Sequence, residues 1–363
     1  MQVRGRMRAT LVGGGALAMA LAVGACTSSS TPPSSGATTP GATSTGAALS
    51  GSLNGSGSTF QLTFQQSAIQ AFSQANPNVH IVYNGVGSGT GRSNLAAGTV
   101  NFAGSDSPIP STETANFGGK SVLYFPVLIG PITMSYNLSG VSDLKLTPTL
   151  IAKIFQGQIK TWNDPAIKAV NPGVTLPGTA ITLAVRSDSS GTTQNFSLFL
   201  KDAAPNWTLG SSSTIKWPPS AHRASGNSGV ATVIKNTPGA IGYVDYSTAK
   251  ASSLSYASVQ NKSGAYVAPS TDSATAAAEG VTVKPDLTFH AVWASGASAY
   301  PITYQSWVLV YAKQPSASAA NLLKAYLGYL LGDGQQFLGQ LSYAPLPSSI
   351  DSQAKTQLSQ ITS

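Results

Sequence analysis

From Gly51 onward, short runs of β-branched and aromatic residues alternate with stretches of helical period. No other feature limits the fold as much. Residues 80–83, 181–185, 241–244 and 307–311 are strand-length and apolar, as buried strands are. The spacing predicts helices over 61–74, 148–156, 192–201, 317–331 and 335–341. Thr147 and Pro148 supply an N-cap and a first-turn proline for one of them, and Gly157 a stop. Strands separated by helices build an α/β fold with largely parallel sheets. A length of 363 residues allows two domains, each with its own core. Two longer extended segments, 122–136 and 301–311, are placed to cross between them. If both cross, the second domain is inserted into the first, and a ligand cleft lies between.

The residues ahead of Gly51 cannot join that core. Arg4, Arg6 and Arg8 precede an apolar run over 11–25 that is too short to span a bilayer comfortably. That is the layout of a secretory signal over residues 1–25. It closes in Leu21-Ala22-Val23-Gly24-Ala25-Cys26, which resembles the bacterial lipobox, whose cysteine becomes an acylated (palmitate-bearing) N-terminus. Residues 27–50 hold Ser, Thr, Pro, Gly and Ala, one Leu and no charge, so 26–50 reads as a flexible tether. Its mean span is roughly 25–30 Å, which holds the folded part just off the outer face of a membrane.

Charge and cysteine count exclude several functions. Taking the three leader arginines from 20 Lys+Arg leaves 17 against 12 Asp+Glu. Those 17 are scattered singly, without a basic run, which argues against nucleic acid. A single Cys allows no disulfide framework, and His80, His222 and His290 stand too far apart for a metal motif. No metal or cofactor is expected.

Three segments share one grammar of small hydroxyl and glycine residues followed by a helix. They are Gly55-Ser56-Gly57-Ser58-Thr59-Phe60, Gly85-Val86-Gly87-Ser88-Gly89-Thr90-Gly91-Arg92, and Ser187-Asp188-Ser189-Ser190-Gly191-Thr192. Helix starts present free N–H groups and a partial positive charge, and glycine lets backbone approach a ligand. Any one alone reads as a capped helix. Three in one chain, one beside Arg186, point to a shared tetrahedral oxyanion. The P-loop fails at Val86 and Arg92, and the dinucleotide fingerprint fails at Thr90 and Arg92.

At these residues a family resemblance becomes specific. Gly57-Ser58-Thr59-Phe60, Tyr83-Asn84-Gly85-Val86-Gly87-Ser88-Gly89, Asn101-Phe102-Ala103-Gly104-Ser105-Asp106 and Arg186-Ser187-Asp188-Ser189-Ser190-Gly191-Thr192 resemble the substrate-binding lipoprotein of the Pst-type bacterial phosphate importer. Matches outside the pocket are Ile154-Phe155-Gln156-Gly157, Trp162-Asn163-Asp164-Pro165, Gly239-Ala240-Ile241-Gly242-Tyr243-Val244 and Tyr300-Pro301-Ile302-Thr303. The resemblance runs from about Gly51 to near Pro347. It implies a two-lobed, type II periplasmic-binding-protein fold with residues 51–130 and 301–363 as lobe I and 131–300 as lobe II. Each lobe would be a mixed, mostly parallel sheet flanked by helices, with the ligand in the interlobe cleft.

The resemblance also implies a ligand set for inorganic phosphate. Thr59, Phe60 through its N–H, Ser88, Ser190, Gly191 and Thr192 would donate, and Arg186 would supply the guanidinium. Asp106 would accept the proton that phosphate keeps near neutral pH and sulfate lacks. Asp188 would hold Arg186. Ser58 and Asn101, which stand where relatives often have Ala and Asp, fall outside the expected ligand positions. The implied partners are the ABC permease subunits with their ATPase, met by a lipid-anchored monomer on the extracytoplasmic side. Two rival readings are a binder of another oxyanion and an exported serine hydrolase or phosphatase. Ser-x-x-Lys occurs at Ser142, Ser213 and Ser247 but without the accompanying motifs, and no Gly-x-Ser-x-Gly exists. An enzyme is therefore not expected.

Overall fold

The computed structural model describes residues 48–363. The leader, Cys26 and the tether up to residue 47 lie outside the described residues. In chain order the strands are β1 (Gly51–Gly57), β2 (Val79–Gly85), β3 (Phe102–Ser105), β4 (Val122–Tyr136), β5 (Lys145–Leu146), β6 (Thr182–Arg186), β7 (His222–Ala224), β8 (Ala240–Asp245), β9 (Ser255–Tyr256), β10 (Ser258–Gln260), β11 (Tyr266–Val267) and β12 (Thr303–Tyr311). The helices are α1 (Leu62–Ala75), α2 (Ser88–Ala96), α3 (Pro148–Phe155), α4 (Pro165–Val170), α5 (Gly191–Ala203), α6 (Gly226–Asn236), α7 (Tyr246–Ala251), α8 (Thr271–Ala278), α9 (Ala317–Leu331) and α10 (Ser348–Gln357).

One sheet runs β2-β1-β3-β12-β4-β8-β6-β7, with β9 also on β4, and a small sheet joins β11, β10 and β5. The pairs β1–β2, β1–β3, β6–β7 and β6–β8 are parallel. The sheet as a whole is mixed rather than mostly parallel. The chain goes out along β4 and returns along β12 beside it, so those two and their contacts with β3 and β8 are antiparallel. β4 pairs with β12 as far as Pro131 and with β8 from Ile132 onward. Its residues after Val122 are all buried, which explains a continuous apolar run with no alternation.

Helices cover the sheet with the faces their periodicity dictates. α1 buries Phe64, Ala68 and Phe72, and α9 buries Leu323, Tyr326, Leu327 and Leu330. Phe72 meets Tyr326 with ring centroids 5.4 Å apart. Thr147 caps α3 by accepting from the Leu150 N–H at 3.2 Å, and Gly157 ends that element at φ +73°. The helix expected over 335–341 is instead a 3-10 turn, Asp333–Phe337, followed by turns. Gly332, Gly334 and Gly339 weaken helix propensity there, and Ser342 sits at φ +62°.

Candidate functional site

The loops that follow β1, β2, β3, β6 and β7 leave the C-terminal ends of their strands, where open α/β sheets bind ligands. Gly57 ends β1 at φ +140°, and a Cβ there would lie 2.9 Å from the Gly104 nitrogen. The chain then turns on Ser58, whose Oγ accepts from the Phe60 N–H at 3.0 Å. Ser88 opens α2 with its side chain buried. Asp106 follows β3 directly, 1% exposed, and caps no helix. The Ser88 hydroxyl donates to Asp106 Oδ2 and accepts from the Asp106 N–H, both at 3.2 Å. Ser306 of β12 donates to the other carboxylate oxygen.

Arg186, at the end of β6, is 4% exposed. Its Nε and Nη2 fork onto Asp188 at 2.8 and 2.5 Å. Its Nη1 donates to Asn227 Oδ1 at 3.0 Å and to Thr192 Oγ1 at 3.4 Å. Ser190 caps α5, its Oγ accepting from the Thr193 N–H at 3.1 Å. Gly191, next along, is pressed so close to Ser88 and Asp106 that a Cβ would lie 2.6 Å from Asp106 Oδ2. At the start of α6, the Asn227 N–H donates to Thr59 Oγ1 at 3.4 Å.

These contacts form a ring. It passes from Thr59 to Asn227, Arg186, Thr192 and Gly191, then to Asp106, Ser88 and back toward the Ser58–Phe60 turn. Thr59, Phe60, Ser88, Asp106, Arg186, Asp188, Ser190, Gly191 and Thr192 are thus brought together from four loops, and Asn227 from a fifth. Cys26 lies outside the described residues. Phe60 has a second role: its ring stacks on Tyr304 at 4.1 Å and meets Tyr343 edge-on at 5.2 Å.

The electrostatics follow from burial. Desolvation raises the Asp106 pKa above its ordinary value, while the hydroxyls of Ser306, Ser58 and Ser88 and the charge of Arg186 pull it down. Burial acts upward on Asp188 too, but its hydrogen bonds and charge pairing with Arg186 bring it below the usual range. Asp245, at the end of β8, is raised to about 6 by burial against the opposing hydrogen bonds of Thr248. The ring therefore offers the N-terminal N–H groups of α2 and α5, hydroxyls and one guanidinium as donors, with Asp106 as the carboxylate not paired to a cation. That inventory suits a small oxyanion bearing a proton.

Three contributors escape a reading by motif. Ser58, outside the ligand positions the resemblance implies, turns its hydroxyl toward Asp106 and fixes the Phe60 N–H. Asn101 does lie apart, accepting from the Asn54 N–H at 2.8 Å. For Asn227 a signal exists that the three segments above do not include: Ser225-Gly226-Asn227 repeats the same hydroxyl–glycine grammar before α6. Ser306 carries no local signal, because it arrives on a strand 200 residues further along the chain.

A PBP superfamily domain matches residues 42–333. Phosphate-binding protein PstS 3 of Mycobacterium leprae is 36% identical over 316 residues, covering 84% of this chain and 85% of its own. Phosphate-binding protein PstS of Xylella fastidiosa is 34% identical over 304 residues, 82% of each. Among solved structures, the phosphate-binding protein from Stenotrophomonas maltophilia superposes with a TM-score of 0.68 at 18% identity, over 85% of this chain and 94% of its own. That last likeness concerns the fold.

Proposed function

The chain belongs to the PBP superfamily and, within it, to the PstS phosphate-binding proteins, and from that membership we propose that it captures one inorganic phosphate ion in the ring around Asp106 and delivers it to a Pst-type ABC importer. The observation that carries this is Asp106: a buried carboxylate whose two oxygens accept from the Ser88 and Ser306 hydroxyls and whose Oδ2 abuts the start of α5. Phosphate presents it with a P–O–H, and the bond forms. Sulfate presents a lone pair to a lone pair in a water-excluded site, a mismatch that rejects ligands by up to ~10⁴–10⁵-fold. Arg186 offers its remaining Nη2 N–H, its plane set by Asp188.

The relatives are named as binding proteins, and in our reading this chain catalyses nothing. Residues 51–130 and 301–363 form one lobe and 131–300 the other; the change of partner along β4 between Pro131 and Ile132 supports that division. The protein works outside the cytoplasm as a monomer held by lipid on Cys26, and it docks on the permease subunits, whose ATPase drives uptake.

Calorimetry on the detergent-extracted full chain tests the ligand. We expect one phosphate per protein, micromolar or tighter, without metal or nucleotide and unmoved by excess sulfate. No heat from phosphate, or equal heat from sulfate, overturns the reading.

A further inference from the structure

Asn227 is 1% exposed and makes two contacts in the ring at once. Its N–H reaches Thr59 Oγ1 on the opposite side, and its Oδ1 accepts from Arg186 Nη1 at 3.0 Å. A guanidinium has donors only, so the amide oxygen must be the atom facing Arg186 and the NH₂ must point the other way. That nitrogen, Nδ2, is buried and has no hydrogen-bond partner among the described residues. The other buried side-chain nitrogen without one, Trp217 Nε1, belongs to a residue of the aromatic cluster around Phe155 and Phe196. Unpaired buried donors are rare in folded proteins, because the lost hydration is not recovered. A donor fixed in direction, on a residue held between Arg186 and Thr59, calls for an acceptor that arrives with the ligand.

We propose that the Asn227 NH₂ donates to an oxygen of the bound oxyanion, so that one side chain binds the ligand, sets the plane of Arg186 and, through its main chain, ties α6 to the Thr59 loop. The proposal rests on the phosphate reading and extends it to a loop that no pocket motif covers. A neutral donor suits the position. It satisfies an oxygen without adding charge beside Arg186, whose charge Asp188 already balances. Because the same residue bridges both sides of the ring, its loss acts chiefly on ligand release.

Asn227→Asp separates this role from mere support of Arg186. Aspartate keeps an oxygen for Arg186, keeps the main-chain N–H and has nearly the same volume, but it replaces the free donor with an acceptor that faces the anion. If Asn227 contacts the ligand, N227D loses at least ~100-fold in affinity for inorganic phosphate and N227A about tenfold, both through a faster off-rate. If it only positions Arg186, N227D binds within about threefold of wild type and better than N227A, and the proposal fails. The wild-type titration runs alongside, and absence of binding there defeats the phosphate reading itself rather than this extension. A measurement on the unaltered protein covers poor folding of N227D. The side-chain amide ¹⁵N–¹H signal of Asn227, assigned by its loss in N227A, shifts downfield on addition of phosphate, and a signal that does not move overturns the contact.

Discussion

Asp106 and Asp245 are both carboxylates buried at strand ends, and their surroundings give them different duties. Donors on both oxygens of Asp106 keep it available as a charged acceptor against the cost of burial. Asp106→Asn removes the charge and lets the site present an NH₂ to an unprotonated oxygen. We expect sulfate binding to gain on phosphate by at least ~100-fold, measured by competition calorimetry; an unchanged ratio removes the proposed role. Asp245 accepts from the Thr248 N–H at 2.8 Å and from its hydroxyl at 2.6 Å, while the nearby charges of Asp106 and Arg186 act on it in opposite directions. A rise from 3.8 to about 6 means the folded state favours the proton. The stability this group lends is full below pH 3.8 and is lost as pH climbs through about 6, a swing of up to about 3 kcal/mol. Asp245→Asn removes the swing, although the amide oxygen keeps only one of the two Thr248 bonds. Urea midpoints should therefore favour the variant more at pH 7.5 than at pH 4, and a difference that is the same at both pH values contradicts it.

At the scale of elements, the site is a set of helix starts, and caps made most of it legible. Ser190 and Thr147 act as the caps their sequences announce, and the glycines mark places where backbone meets backbone. What escaped was set by distance along the chain or by weak local pattern. Ser306 reaches Asp106 only because β12 lies beside β3. α6 carries Val230, Val233 and Ile234 among small residues, a β-branched pattern whose helicity comes from packing on β6 and β8. Gly191 gives the sharpest test at this scale. A methyl there would overlap Ser88 and Asp106, while alanine is a better helix former than glycine in α5. Gly191→Ala should lower phosphate affinity by more than ~100-fold while the ligand-free melting temperature stays within a few degrees. Normal affinity would place α5 too far from Asp106 to share a ligand.

For the whole molecule, the consequence of topology is that residues 131–300 connect to the rest by two chain crossings, at β4 and just ahead of β12. Between these crossings and the ring the structure adds a few direct contacts, such as the Gly89 N–H to the Ser189 main-chain carbonyl at 3.0 Å and Asn195 Nδ2 to the Asp106 main-chain carbonyl at 2.7 Å. A ligand held from both sides must then stabilise both sides together. At a thousandfold excess over Kd, binding adds about 4 kcal/mol, which at about 2.1 cal/mol/K of unfolding entropy per residue raises Tm by roughly 5–7 °C in a chain of this size. We expect one calorimetric transition that moves upward with each decade of phosphate and stays fixed in sulfate. Two transitions of which only one responds would mean that phosphate touches a single side, and Arg186 and Asp106 could not then share it.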